Sequence, residues 1–162
     1  MPPEDYKPSD AGAHRGDFDQ KDAGQGSRVY LPVVVDDALV FFGDRHATIS
    51  DGIITGTGIE CSMNVHARIT LLKDRVLDRP IIAQGRAVHF VGPNVEEATE
   101  DAARRAVDFA AARTGLSREE AYMLLSIMGE LRVGTSTRPV MATRLIVPEG
   151  PLRAAGWSGE LP

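Results

Sequence analysis

Between Asn94 and Gly129 the apolar residues stop alternating and recur every three or four positions, and this change of period constrains the fold more than any other feature. Asn94-Val95-Glu96-Glu97 has the form of a capping box, with an oxygen acceptor at the cap and a glutamate three residues later. Ala98, Ala102, Ala106, Phe109 and Ala110 then follow helical spacing to about Thr114. Gly115 stops that helix. Ser117-Arg118-Glu119-Glu120 is a second capping box, opening a helix whose Ala121, Leu124, Leu125 and Met128 form the inner face. Two such helices joined by a short turn make a hairpin that packs its apolar stripes on another element.

The flanking segments supply that element. Val29–Val35 and Leu39–Phe42 are β-branched and aromatic enough to read as two buried strands. Ile53–Glu60 and Met63–Leu72 read as a strand pair, the second with Val65, Ala67, Ile69 and Leu71 on one face and His66, Arg68 and Thr70 on the other. A turn at Arg75–Pro80 leads to Ile81–Ala83 and Ala87–Val91 around Gly85, and strands return at Leu131–Gly134 and Met141–Val147. Strands, a helical pair and strands again indicate an α+β domain, mainly antiparallel β-sheet or β-sandwich with the hairpin packed on it. A chain of 162 residues fits one domain, large enough to bury roughly two-thirds of the surface its unfolded form exposes. Residues 1–13, rich in proline and charge, read as a mobile tail, residues 14–148 as the domain and residues 149–162 as an irregular tail.

With 18 basic against 23 acidic residues the net charge is −5, which offers no electrostatic footprint for nucleic acid or an anionic membrane surface. No apolar run approaches the roughly 18 residues a membrane helix needs, and the first residues lack the basic and apolar regions of a signal peptide, so a cytoplasmic location is the default. Cys61 is the single cysteine. An intramolecular disulfide and a multi-cysteine zinc site are excluded, and Cys61 reads as a small buried hydrophobe on a strand.

The densest chemistry lies in Gly43-Asp44-Arg45-His46-Ala47-Thr48-Ile49-Ser50-Asp51-Gly52, where two carboxylates and an imidazole follow an apolar run. It reads as a metal or acid/base loop at a strand end, or as an Asp-rich turn with a solvated histidine. His66 and His89 lie inside strand patterns with no acidic neighbour in sequence, and His14 lies in a segment expected to be mobile, so all three are weaker ligand candidates. Ser126 sits on a helix without nucleophile-elbow geometry, and Tyr122 reads as a packing residue of the same helix.

The order and spacing of Gly16-Asp17-Phe18-Asp19, Gly26-Ser27-Arg28-Val29-Tyr30-Leu31-Pro32-Val33, Gly43-Asp44-x-His46-Ala47, Asp51-Gly52 and Gly56-Thr57-Gly58-Ile59-Glu60 resemble the C-terminal half of the acetamidase/formamidase family. Leu116–Ser126 and Gly129–Val133 resemble its late helix and following strand. The resemblance implies metal-dependent hydrolysis of short linear amides such as formamide and acetamide to carboxylate and ammonia. The family usually carries Asn at Asp17, His at Asp22, Gly at Ser50 and Glu at Ile53, and isoleucine can neither ligate a metal nor move a proton. Members are also considerably longer.

On that resemblance the ligand candidates are Asp44, His46 and Asp51, with Asp17 and Asp19 arriving from the preceding loop. Mixed oxygen and nitrogen ligation suits zinc or another divalent transition metal. Glu60, with Asp51, is the candidate for proton transfer, as a base or as donor to the leaving amine; its alternative is a solvated strand-end glutamate. Two function classes stay open, an amide hydrolase and a non-catalytic subunit with the family fold. In either case the missing half implies a homo-oligomer or a complex with a chain that supplies it, with a small amide as substrate and neither nucleic acid nor membrane as partner.

Overall fold

The computed structural model describes residues 20–53, 57–92, 95–135 and 141–161. The candidates Asp17, Asp19, His14 and Asn94, and the expected tail 1–13, lie outside them. Five strands form one antiparallel sheet in the order β1-β2-β3-β5-β4: β1 Arg28–Tyr30, β2 Ile81–Gln84, β3 Ala87–Gly92, β4 Glu130–Thr135 and β5 Met141–Pro148. Helices α1 Val95–Arg113 and α2 Arg118–Met128 separate β3 from β4, and α3 Glu149–Ala154 follows β5. The α+β architecture expected from the sequence is the one observed, as a single sheet among the described residues and not a sandwich.

Register explains which residues face the helices. β2 and β3 join through a two-residue turn in which Gly85 takes φ 61, the left-handed value tight hairpins need. The pairing sets Ile81 beside Phe90 and Phe90 beside Leu145, and Ala83 beside Val88 and Val88 beside Val147. These six side chains are buried with Ala102, Ala106, Val107, Ala110, Ala121 and Leu125 of the helices in one cluster. Alanine every fourth residue lets α1 lie close on the sheet, since a stripe without long side chains brings the backbone near its partner. Residues of opposite parity, Ile82, His89, Ile146 and Arg144, point to the other face.

The second capping box forms as read: the Ser117 hydroxyl accepts from the Glu120 N–H at 3.1 Å, and the Glu120 carboxylate accepts from the Ser117 N–H at 2.8 Å. Ala121 and Leu125 of its helix are buried, whereas Leu124 and Met128 are half-buried and Tyr122 and Ser126 face outward. The Ser126 hydroxyl donates to the Tyr122 carbonyl at 2.8 Å, a bond internal to the helix and not the geometry of a nucleophile.

Two expectations are corrected. The segment 149–161 is not an irregular tail. Pro151 falls in the first turn of α3, where a missing N–H costs no helical hydrogen bond. The helix closes on Gly156 at φ 105, whose N–H donates to the Arg153 carbonyl while that of Trp157 donates to Leu152, both at 3.0 Å. This glycine-terminated cap turns Trp157 inward. Its ring meets Phe109 edge-on at 5.5 Å, and Phe109 meets Phe90 in the same way at 5.5 Å, so the terminal segment completes the core together with Leu152 and Leu161. Prolines and glycines that read as breakers are the cap residues of a short helix.

The second correction concerns residues 29–72. Only Arg28–Tyr30 joins the sheet; Leu31–Phe42 and Met63–Leu72 form no strand, and the described part of Ile53–Glu60 contributes one isolated bridge. Val33, Val34, Leu39, Val40, Phe41 and Phe42, then Met63, Val65, Ile69, Leu71 and Leu72, are all exposed, Phe41 at 71%. Alternation marks a strand only where a neighbour supplies the hydrogen-bonding ladder, and none of the described residues does so here.

Because Leu125 is 5% exposed and belongs to the main core cluster, Leu125→Ala is expected to lower stability by about 2–5 kcal/mol. Chemical denaturation of the two proteins measures it, and a change within about 0.5 kcal/mol places this face outside the core.

Candidate metal and acid/base site

Within the exposed arm, one bridge builds a site. The Ala47 N–H donates to the Ile59 carbonyl at 2.9 Å and the Cys61 N–H to the Arg45 carbonyl at 3.0 Å, so His46 and Glu60 stand directly opposite in an antiparallel pair. That is the pair type whose side chains come closest. His46 Nε2 lies 3.0 Å from Glu60 Oε1 and 3.6 Å from Asp44 Oδ1. Asp44 takes φ 51, a left-handed conformation that aspartate tolerates better than most residues and that allows its carboxylate to turn back on the ring two residues later. One ligand atom from each of Asp44, His46 and Glu60 lies within 4.8 Å of the others. The imidazole is 6% exposed, the two carboxylates 58% and 53%. The ring is therefore held by protein while both acids face outward.

Gly58 is what makes room for the ring. A Cβ at this position would overlap Cδ2, Nε2 and Cγ of His46, so any larger residue displaces the imidazole. Cys61, half-buried beside the bridge, points its Sγ at the Arg45 carbonyl and lies in no named strand.

Asp51 does not join this cluster. Its carboxylate is bonded by Nη2 of Arg144 and lies 3.6 Å from Lys21 Nζ. Arg144, 1% exposed on the face of the sheet opposite the helices, also donates through Nη1 to Asp22 Oδ2 at 2.5 Å, and Lys21 reaches Asp22 at 3.3 Å. Asp51 is thus an ion-pair anchor, where the sequence suggested a ligand or proton carrier. Arg144 is the residue of this ion-pair cluster that sequence reasoning missed. The available signal was an arginine in the strand Met141–Pro148 among apolar neighbours, a place where a cation is stable only with anions beside it.

Electrostatics around this anchor follow from burial. Burial raises the Asp22 carboxyl, but the Lys21 hydrogen bond and the charges of Arg144, Lys21 and His89 outweigh it and hold the group below its ordinary value. For His89 burial acts first, lowering its pKa; Arg144, Arg132 and Lys21 add to that and Asp22 opposes it. The net is a neutral imidazole, so its 3.9 Å approach to Asp22 is no ion pair at neutral pH.

A single antiparallel sheet covered by two helices, carrying a carboxylate–imidazole–carboxylate cluster on an arm, defines an α+β protein with a site suited to hard or borderline divalent ions. The chain belongs to the acetamidase/formamidase family, whose model matches residues 8–150. The acetamidase of Yersinia enterocolitica superposes with a TM-score of 0.74 at 33% identity, over 86% of this chain and 43% of that one. The acetamidase of Bacillus halodurans superposes with a TM-score of 0.76 at 33% identity, over 90% and 50%. A formamidase of Methylophilus methylotrophus is 42% identical over 64 residues, 39% of this chain and 16% of that protein. The chain spans half or less of the length of these relatives. Among the described residues no helix is long and apolar enough to cross a membrane.

Both the depressed His89 and the depressed Asp22 make acid unfavourable. The unfolded chain takes a proton on His89 near pH 6.5 and the folded chain only lower, so stability falls as pH drops below about 6.5; Asp22 adds a further loss as pH falls through its folded value. The thermal midpoint is expected to drop between pH 7.5 and 5.5. His89→Gln should flatten that slope, and an unchanged slope in the variant assigns the acid sensitivity to other groups.

Proposed function

We propose that this chain carries the metal-binding part of a hydrolase acting on short linear amides, and that Asp44, His46 and Glu60 hold the ion. The observation that carries the proposal is the meeting of these three side chains, with Glu60 arriving 14 positions after His46, in a member of this family. Two carboxylates and an imidazole offer hard oxygens and one borderline nitrogen, a donor set that fits zinc or a similar divalent ion with positions left for water or substrate. Such an ion supplies Lewis-acid polarisation of an amide carbonyl and acidifies water.

The chain's own residues do the rest. The bridge fixes His46 against Gly58, so the imidazole keeps one orientation while exposed Asp44 and Glu60 meet a small neutral substrate. Glu60 faces His46 through Oε1, and its other carboxylate oxygen is free to take a proton from water and return one to the leaving nitrogen, which departs poorly unless protonated. Asp51, held by Arg144, has no part in this transfer.

The exposed apolar residues between Val33 and Val76 are expected to be covered by polypeptide equivalent to the part of the relatives' length that this chain does not span. This supports an assembled, not a solitary, form of the site. Ile53, in the position where the family usually carries glutamate, favours the competing reading of a non-catalytic subunit.

Elemental analysis is expected to find about one zinc-class ion per wild-type chain and little in His46→Ala. Equal content in both removes His46 from the ligand set. Light scattering should give a mass above the 17.5 kDa of one chain, with ammonia release from formamide or acetamide weak in the chain alone. A stable monomer with strong, Asp44-dependent turnover overturns the need for covering polypeptide, and no turnover in any assembly supports the non-catalytic subunit.

A further inference from the structure

Asp51 lies in the loop that leaves His46 and returns to Glu60, and Arg144 belongs to the central sheet. The bridge between His46 and Glu60 sets these two side chains relative to each other, but the described residues of the loop it closes are exposed or only partly buried. Arg144 is the opposite case. Its backbone pairs with Val91 of β3 on one side and Arg132 of β4 on the other, so the guanidinium starts from a strand with neighbours on both edges. From there Nη2 reaches Asp51 and Nη1 reaches Asp22. The Lys21 ammonium also lies near both carboxylates, but as a point charge; the planar guanidinium of Arg144 holds each in a fixed direction.

Two cations, Arg144 and Lys21, face two anions, Asp22 and Asp51, at the same spot. Removing either partner leaves a nearly or partly buried charge without its counterion, so the cluster resists opening. Arg144 Nε and His89 Nδ1, both buried, make no hydrogen bond among the described residues, and the guanidinium is thus committed to the carboxylates through its terminal nitrogens.

We propose that Arg144 is a positioning residue for the metal ligands: by clamping Asp51 to the sheet it holds the loop between His46 and Glu60 in the shape that brings their side chains together. The inference rests on Asp44, His46 and Glu60 being the ligands. It gives the ion pair a role in affinity and not only in stability, because a loop free to move must be ordered when the ion binds.

Zinc affinity measured by chelator competition tests it without reference to turnover. Arg144→Met and Asp51→Asn are each expected to weaken binding by about tenfold or more, the range seen when groups behind metal ligands are removed. The double variant should be no weaker than the worse single one, since both changes cut one tether. Asp101→Asn is the control for general instability. It breaks a comparable cluster with Arg79 at 3.1 Å and Arg104 at 2.5 Å on the helix layer, and should lower the melting temperature while leaving zinc affinity within about twofold of wild type. Should Arg144→Met fail to fold, Asp51→Asn decides, because its side chain is partly exposed and the change is isosteric. Unchanged affinity in Asp51→Asn, or an equal loss in Asp101→Asn, overturns the positioning role while leaving the ligand set intact. A wild-type chain that binds no zinc overturns the ligand assignment and this inference with it.

Discussion

The contact of α1 with β3 and β5 is the interaction on which the other parts depend. Ala102, Ala106 and Ala110 present a narrow stripe with no long side chains, so the helix settles onto Val88, Phe90, Leu145 and Val147. Each alanine buries little area by itself. The benefit lies in approach distance, which lets the larger residues of the sheet make many dispersion contacts at once. Phe109, Trp157 and Phe90 meet in this layer through edge-on ring contacts, and Leu152 of α3 joins the same core.

With one face of the sheet committed to helices, the other carries buried polar groups beside Ile82 and Ile146. Arg144 and His89 emerge there by strand parity alone, as immediate neighbours of residues that are in the core. A buried guanidinium in such a position is stable only with carboxylates supplied by other segments, and it receives them from Asp22 and Asp51. Burial first, and then the nearby cations Arg144, Arg132 and Lys21, disfavour a charge on His89, against the opposing pull of Asp22. Two segments remote in sequence from β5, those of Asp22 and Asp51, are thus ion-paired to the sheet.

The cluster of Asp44, His46 and Glu60 is assembled differently. Its members lie outside the named strands, and their convergence comes from one short antiparallel bridge, a left-handed Asp44 and the missing side chain of Gly58. The apolar residues that flank it are exposed to a degree unusual for a soluble surface. Local geometry of this kind can specify a site, while its environment depends on what covers the arm.

Much of the fold was legible in the sequence because helix signals are local. Ser117 and Glu120 form a capping box from residues three apart, and the alanine stripe follows from a period of 3.6, so both helices and the strands β2 to β5 around them can be read without knowing any long-range contact. Asp44, His46 and Glu60 were also identifiable as chemistry-bearing residues. Which of them meet was not: Asp51 is closer in sequence to His46 than Glu60 is, yet Glu60 arrives opposite the ring through strand pairing and Asp51 is drawn to Arg144, 93 positions away. Strand partners, the direction of a loop and the counterion of a buried charge are set by residues remote in the chain. The sequence therefore determined the family, the helices and the inventory of candidate groups, and tertiary structure decided which carboxylate binds beside His46 and which anchors the loop, because ion pairing and ladder formation depend on proximity in space.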